Sequence, residues 1–253
     1  MAVIHRTTMT PGKLELLTAW LPTRPWYLGA AGGPELAKAG GFRLDDPEGE
    51  VGIEFMVVTD TSGEKPVSYH VPLSYRGVPL DGADEALVGT SEHGVLGKRW
   101  LYDGAHDPVL VGQLLAFLQG RAAAQAQGLS DTADPSVTGY FTGAGVSAEV
   151  ASVAITDGEH GTVVVAETVA AGSSEPGSTL TLQVTRVLRP EQSAQQEQQE
   201  QQVPGIDPSE ALGPVWSRDL VSPRCGKAGG PGVKRWGVST STFGCRVGVH
   251  LPV

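Results

Sequence analysis

The sequence predicts an α+β protein in which a curved antiparallel sheet carries two or so helices. Apolar and β-branched stretches separated by turn-forming residues recur along the chain, as expected for sequential antiparallel strands. Only two stretches show the apolar spacing of an amphipathic helix. The 253 residues include 34 Gly and 18 Pro with few aromatics, a composition that suits short strands and many turns.

The first predicted helix lies in TPGKLELLTAWLPTRPWY, residues 10–27. Its apolar residues recur at near-helical spacing, and two prolines end the pattern: Leu14, Leu16, Leu17, Trp20 and Leu21, then Pro22 and Pro25. A loop rich in Gly and Ala follows at 29–41, and GFRLDD at 41–46 resembles a strand.

Residues 51–60 and 67–77 predict an antiparallel hairpin around the turn TSGEKP. HGVLGKRWLYD, residues 93–103, predicts a third strand. The clearest helix is DPVLVGQLLAFLQGRAAAQAQ, residues 107–127. Asp107 is a natural N-cap, and Pro108 suits the first helical position.

Three further strands with Gly-rich turns are predicted at 146–158, 161–171 and 178–190, in an antiparallel meander. The polar Gln/Glu-rich segment 191–202 cannot bury an apolar face and predicts a linker, either disordered or a solvated helix. Residues 203–253 show no periodicity and predict a Gly-rich, disordered tail. The predicted domain therefore spans residues 1–190.

The formal charge of −10 argues against nucleic acid as a partner, because phosphate binding calls for a basic face. We expect no membrane span, since no stretch reaches the roughly 20 apolar residues required. The N-terminus lacks the apolar core of a signal peptide. Cys225 and Cys245 are the chain's two cysteines, and we expect free thiols in a cytoplasmic protein, with a disulfide or half a metal site as the alternatives.

Several motifs fail their spacing tests. Gly97 and Lys98 do not form a phosphate loop, because Glu92 stands where the first glycine is required and Arg99 replaces Ser or Thr. GAGVSA at 143–148 precedes a strand rather than a helix, so a turn is favoured over a dinucleotide site. The acidic run at 45–50 lacks the calcium-loop spacing and predicts a solvated turn. H-x-D-x-x-x-x-N, D-F-G, G-x-S-x-G and H-E-x-x-H are absent.

Two groups of residues are candidate sites. Asp103 and His106 could act in acid–base chemistry, although a structural turn is favoured, and no metal site is expected. The candidate ligand-binding residues are aromatic rings that could stack on sugars and the basic pair near them: Trp20, Trp26, Tyr27, Lys98, Arg99 and Trp100. For the aromatic residues a core position is the favoured interpretation.

Four strings carry a family resemblance: IHRTTMTPGKLELLTAWLPTRPWY, GGFRLDDPEGEVGIEFMVV, YHVPLSYRGVPL and GTSEHGVLGKRWLYDGAHDPVLVGQLL. They resemble the N-terminal cap-like region of actinobacterial maltokinases and, more closely, stand-alone proteins built from that region. The similarity covers about residues 1–190. It implies the fold of a kinase N-terminal cap plus intermediate subdomain.

Complete kinases of this kind phosphorylate maltose or related sugars with ATP and carry their catalytic aspartate and magnesium ligands in a helical lower lobe. Residues 191–253 do not resemble that lobe, so none of its residues can be assigned in this sequence. We therefore expect a non-catalytic module of maltose, trehalose or α-glucan metabolism that needs no cofactor. It would bind a partner enzyme, such as a kinase, or a sugar or nucleotide ligand.

Two alternatives stay open at this point. One is an ATP-dependent sugar kinase that would use Mg-ATP, acting alone or as a split enzyme completed by a separate chain. The other is a small-ligand enzyme that uses the turn of Asp103 and His106.

Overall fold

The computed structural model describes residues 7–29, 32–141, 148–159, 161–170 and 176–188, together with the backbone of strands at 233–239 and 246–252. Two α-helices occur in these ranges, α1 (Lys13–Trp20) and α2 (Pro108–Leu118). The strands are β1 (Met9–Thr10), β2 (Leu36–Leu44), β3 (Gly52–Asp60), β4 (Val67–Arg76), β5 (Leu87–His93), β6 (Gly97–Asp103), β7 (Gln125–Ala126), β8 (Thr138–Phe141), β9 (Ala148–Gly158), β10 (Gly161–Ala170), β11 (Pro176–Val184), β12 (Val187–Leu188), β13 (Val233–Ser239) and β14 (Arg246–Pro252).

The main sheet is antiparallel and strongly curled, with the strand order β1-β5-β6-β4-β3-β2-β7. β6 lies between β5 and β4, and on β4 it pairs with the second half of the strand, from Leu73 to Arg76. The short strand β12 pairs with the first half, at Ser68 and Tyr69. Two helices on a curled antiparallel sheet confirm the predicted α+β class.

The main sheet is buried on both faces. Along β3, Phe55 and Val57 contact a core cluster that includes α2 and the sheet β9–β11. Met56 and Val58 face a second cluster, which includes α1. Since neighbouring strand residues point to opposite faces, the nearly continuous apolar run of β3 matches a strand covered on both sides.

Two three-stranded antiparallel sheets accompany the main sheet, with the orders β11-β10-β9 and β13-β14-β8. The first packs through Val164 and Leu182 against the cluster around α2. β13 and β14 lie within 203–253, where the sequence indicated no strand. The linker 191–202 and both cysteines lie outside the described residues, so the predicted linker and thiol state stay predictions.

The predicted hairpin is confirmed as β3 and β4, whereas three boundaries were wrong. β2 begins at Leu36, inside the predicted loop, because pairing with β3 stabilises a Gly- and Ala-rich stretch that has little strand propensity of its own. The predicted single strand at 93–103 is the end of β5, a tight turn and β6. The last predicted strand, 178–190, is broken after Val184 into β11 and β12.

The second helix begins at the predicted residue but ends nine residues early. Gly120 has a φ of 71°, which suits glycine. The amides of Gly120 and Arg121 donate to the carbonyls of Phe117 and Ala116, the pattern of a Schellman C-cap. Residues beyond it form a loop and β7, which pairs with β2.

Candidate functional site

Asp103, a candidate catalytic residue, lies in a buried ion pair. Its Oδ2 accepts a hydrogen bond from Nη2 of Arg186 at 2.6 Å, and both side chains are 0% exposed. Its other oxygen accepts from the Ala105 amide at 3.2 Å. Both carboxylate oxygens therefore have partners within the fold.

Arg186 lies in the connection between β11 and β12, where the second sheet meets the main sheet. Its Nε donates to Oγ1 of Thr162 at 2.7 Å, and its Cζ lies 5.1 Å from the ring centre of Trp26. Its backbone carbonyl accepts from the His70 amide at 2.8 Å. This one side chain therefore contacts β10, β6 and the segment that follows α1.

The two histidines near this arginine are less basic than usual. Burial, together with the positive charge of Arg186, holds the pKa of His70 well below its ordinary value. Burial also lowers the pKa of His106, against the opposing effect of Asp103 and Asp157. His106 lies in the turn after Asp103. Because its pKa is lowered, its imidazole is mainly neutral at pH 7.

The N-cap assigned to Asp107 is confirmed. Its Oδ1 accepts from the Val109 amide at 3.0 Å. Both carboxylate oxygens also accept from Arg76, at 2.7 Å each, so that cap and strand β4 are joined by a two-point ion pair. The Asp107 side chain is 0% exposed, and its role is structural.

The carboxylate of Glu54 is buried and was not among the residues predicted from the sequence. Its oxygens accept from Nζ of Lys13 and Oη of Tyr75, both at 2.5 Å, and from Nε2 of Gln127 at 2.6 Å. Burial by itself would raise the pKa of Glu54, but Lys13 and these hydrogen bonds outweigh it and the pKa is lowered. The sequence feature that could have indicated a buried carboxylate is the single acid inside the apolar run VGIEFMVV.

The acidic run at 45–50 is a turn, as predicted. Asp46 accepts from the amides of Glu48, Glu50 and Val51 at 2.9–3.1 Å.

The first five residues of GAGVSA, 143–147, lie outside the described residues, so the turn predicted there stays a prediction. Among the described residues no cluster of three His, Cys, Asp or Glu side chains could hold a metal ion.

Three of the candidate aromatic residues lie together in the core beside α1. Trp20 and Trp26 are 5% and 0% exposed, with ring centres 5.9 Å apart. Tyr27 donates to Oδ2 of Asp60 at 3.0 Å, and burial with this carboxylate raises the pKa of Tyr27 to about 12. These rings stabilise the fold, and Trp20 and Trp26 are too buried to stack on a sugar from solvent.

Lys98, Arg99 and Trp100 occupy a different position, at the start of β6. The Nζ of Lys98 lies 5.0 Å from the ring centre of Trp100. Arg99 donates from Nη2 to the Leu96 carbonyl at 2.9 Å, while its Nη1 lies close to Gly77. Arg99 thus joins the β5–β6 turn to the loop after β4.

These two segments carry exposed apolar side chains. Val78 is 66% exposed, Val95 61% and Leu96 47%. We call Val78, Val95, Leu96, Lys98 and Arg99 the hairpin tip. The hairpin tip is an exposed apolar surface with two basic residues, whereas the ion pairs of Asp103 and Asp107 are buried.

An apolar cavity lies between the main sheet, α2 and the second sheet. Phe42 and Phe55, which stack with ring centres 4.5 Å apart, form part of its wall with Leu110 and Val164. Its volume is about 20 Å³, and its lining residues are buried, so a sugar or nucleotide would not fit.

None of the helices described is long and apolar enough to cross a bilayer.

These features define an α+β module whose candidate acid Asp103 is buried in an ion pair and whose exposed large apolar residues concentrate at the hairpin tip. Residues 20–107 match the model of the maltokinase N-terminal cap domain. The match confirms the resemblance and covers most of the main sheet, including the hairpin tip. No curated protein matches the chain.

Proposed function

We propose that this protein is a non-catalytic, cytoplasmic cap-like module of maltose, trehalose or α-glucan metabolism that binds a partner enzyme through the hairpin tip. One observation carries the proposal. Three of the five exposed large apolar side chains in the described residues lie at this tip, and the remaining two are Leu28 and Leu129. Exposed apolar side chains that cluster mark interaction surfaces, whereas scattered ones do not.

The chemistry of the tip defines the partner surface. Val78, Val95 and Leu96 would enter an apolar depression, and Lys98 and Arg99 at its border would pair with carboxylates. Contacts of this kind place the apolar residues at the centre of an interface and the charges at its rim. A kinase or another α-glucan-pathway enzyme with an acidic-rimmed apolar patch is the partner that fits.

The described ionisable groups support a role without catalysis. Asp103 and Asp107 are 0% exposed and engaged by arginines, and Glu54 is enclosed by three donors. An acid or base must come within hydrogen-bond reach of its substrate, and these carboxylates lie inside the fold. The small-ligand enzyme that would use Asp103 and His106 is therefore disfavoured.

Binding is tested by isothermal titration of the full chain into separately produced α-glucan-pathway kinases, including a maltokinase without its own cap. We expect Val95→Glu to weaken the interaction at least tenfold, about 1.4 kcal/mol, by placing a charge in the apolar contact. Leu129→Glu, at an equally exposed residue outside the tip, is the matched control. Equal affinity for Val95→Glu and the wild type would refute the tip as the binding surface.

The alternative, an ATP-dependent sugar kinase, is tested by thermal shift of the full chain with Mg-ATP, maltose, glucosamine and trehalose. A ligand at 100 times its Kd stabilises the native state by about 2.7 kcal/mol. A shift with Mg-ATP and maltose-dependent ATP turnover would replace our proposal with the kinase. A shift with a sugar alone would make the module a sugar-binding one.

A further inference from the structure

Strand β9 is an outer strand of the second sheet. It pairs with β10 along its whole length, from Ala148 to Gly158. Within the described part of the chain no strand pairs with its other edge, whereas β11, on the far side of the sheet, lies in contact with β13. Among the described residues, the outward backbone N–H and C=O groups of β9 therefore have no strand partner.

The sequence of this edge lacks the usual protection. Residues 150–156, VASVAIT, include no charged residue, proline or glycine. Natural edge strands are commonly protected by lysine, proline or a bulge, because an open edge is a template for another strand. A bulge opposite Glu167 and Thr168 does interrupt β9 near Ala151, but the register from Ser152 to Gly158 is regular.

We propose that the outer edge of β9 binds an extended segment of another polypeptide by strand addition, and that this segment carries Lys or Arg at both ends. Main-chain hydrogen bonds supply the affinity in this mode of recognition, and alternate side chains supply the specificity. The proposal concerns a second surface and does not rest on the hairpin tip.

Charge identifies the occupant. Glu149 lies before the uncharged stretch, and Asp157 and Glu159 lie after it. Antiparallel pairing of two β9 strands centred on Val153 would place Glu149 opposite Asp157 of the second copy, and like charges directly opposite are destabilising. A segment with basic ends places opposite charges at the same positions, so a foreign basic-flanked strand is favoured over a second copy.

The side chains of β9 indicate what lies between those basic ends. Val153 and Ile155 are partly buried and pack on the core cluster, while Ala154 and Thr156 are exposed. The inward face of the added strand would therefore meet apolar neighbours and the outward face small ones. Alternating Val and Thr satisfies both faces.

The test is amide hydrogen exchange on the full chain, without ligand and with millimolar K-T-V-T-V-T-V-K peptide, whose two lysines are spaced to lie opposite Glu149 and Asp157 across the bulge at Ala151. In the free protein we expect rapid exchange at alternate amides between Ser152 and Asp157, because only every second amide donates to β10. The basic-flanked peptide should slow these amides at least tenfold, and E-T-V-T-V-T-V-E should not. Protection of all these amides in the free chain would overturn the proposal, as would equal effects of both peptides or none.

A substitution gives a second, independent readout. Ala154→Lys adds a charged side chain to the edge and should reduce peptide binding at least tenfold, while Gln183→Lys on β11 should not. A concentration-dependent dimer in light scattering that Ala154→Lys abolishes would show a second copy as the occupant and overturn the proposal. Val95→Glu, at the hairpin tip, should leave peptide binding unchanged, so the two surfaces can fail separately.

Discussion

At the scale of single residues, Arg186 connects parts of the chain that are remote in sequence. It joins Asp103 on β6, Thr162 on β10 and the ring of Trp26. A buried charge is tolerated only when it is paired and hydrogen-bonded, because the loss of its hydration is costly. Removal of either partner of the pair therefore leaves an uncompensated charge in the core.

We expect Arg186→Met to reduce the free energy of unfolding by about 3–5 kcal/mol, because it leaves Asp103 buried without its counter-charge. Urea denaturation followed by tryptophan fluorescence measures the change. The double variant Arg186→Met with Asp103→Leu should recover part of the loss, since it removes both charges. A loss below about 1 kcal/mol for the single variant would show that the pair is not buried in solution.

The lowered pKa of Glu54 predicts that the stability of the protein depends on pH. Its pKa in the folded protein is below its ordinary value of 4.5, because Lys13, Tyr75 and Gln127 stabilise the carboxylate more than burial disfavours it. A lowered pKa contributes stability that is fully present above pH 4.5 and is lost as the pH falls through the folded-state pKa.

We expect Glu54→Gln to lower the free energy of unfolding at pH 7 by roughly 1–3 kcal/mol, the effect of a lost charged hydrogen bond. The variant should also lose less stability than the wild type between pH 5 and pH 3. Urea denaturation across this range measures both effects. Parallel acid profiles for the two proteins would contradict the assigned shift.

At the scale of elements, both ends of α2 are defined by local interactions. Asp107 caps the first turn, and Gly120 closes the last one. Asp107 predicted the first residue of the helix correctly, whereas Gly120 did not stand out as a stop signal because the Ala-rich stretch after it has high helix propensity. A glycine in the left-handed region ended the helix in spite of that propensity.

Asp107→Ala removes the cap and the partner of Arg76 together, whereas Asp107→Asn keeps a capping oxygen. We expect the alanine variant to lose about 1 kcal/mol more than the asparagine variant, the typical value of an N-cap. Guanidinium denaturation of both variants gives the difference. Equal losses would mean that the Arg76 ion pair alone accounts for the role of Asp107.

At the scale of the whole molecule, the main sheet is the middle layer between two apolar clusters. All members of both clusters lie between Met9 and Leu188. The backbone of β14 pairs with β8, and that of β13 lies in contact with β11. Among the residues whose side chains the structure describes, both apolar clusters thus lie before the predicted linker.

We therefore expect a chain of residues 1–190 to fold cooperatively on its own, as the predicted domain boundary requires. Its unfolding midpoint should lie close to that of the full chain, because hydrophobic burial is the dominant favourable contribution to folding. Circular dichroism during thermal unfolding provides the comparison. A non-cooperative transition in the shortened chain would show that β13 and β14 are needed for the core.

Sequence patterns were enough to predict the α+β class, the β3–β4 hairpin, the Asp107 cap, the turn at Asp46 and the resemblance of residues 20–107 to the maltokinase N-terminal cap domain. Each of these depends on residues that are close together in the chain. Tertiary structure alone decided that Asp103 pairs with Arg186, 83 residues away, and that Glu54 bonds to Gln127, 73 residues away. It also decided that Val78 lies beside the β5–β6 turn. Contacts of this kind depend on the order in which strands assemble into sheets, and no local pattern of side chains encodes that order.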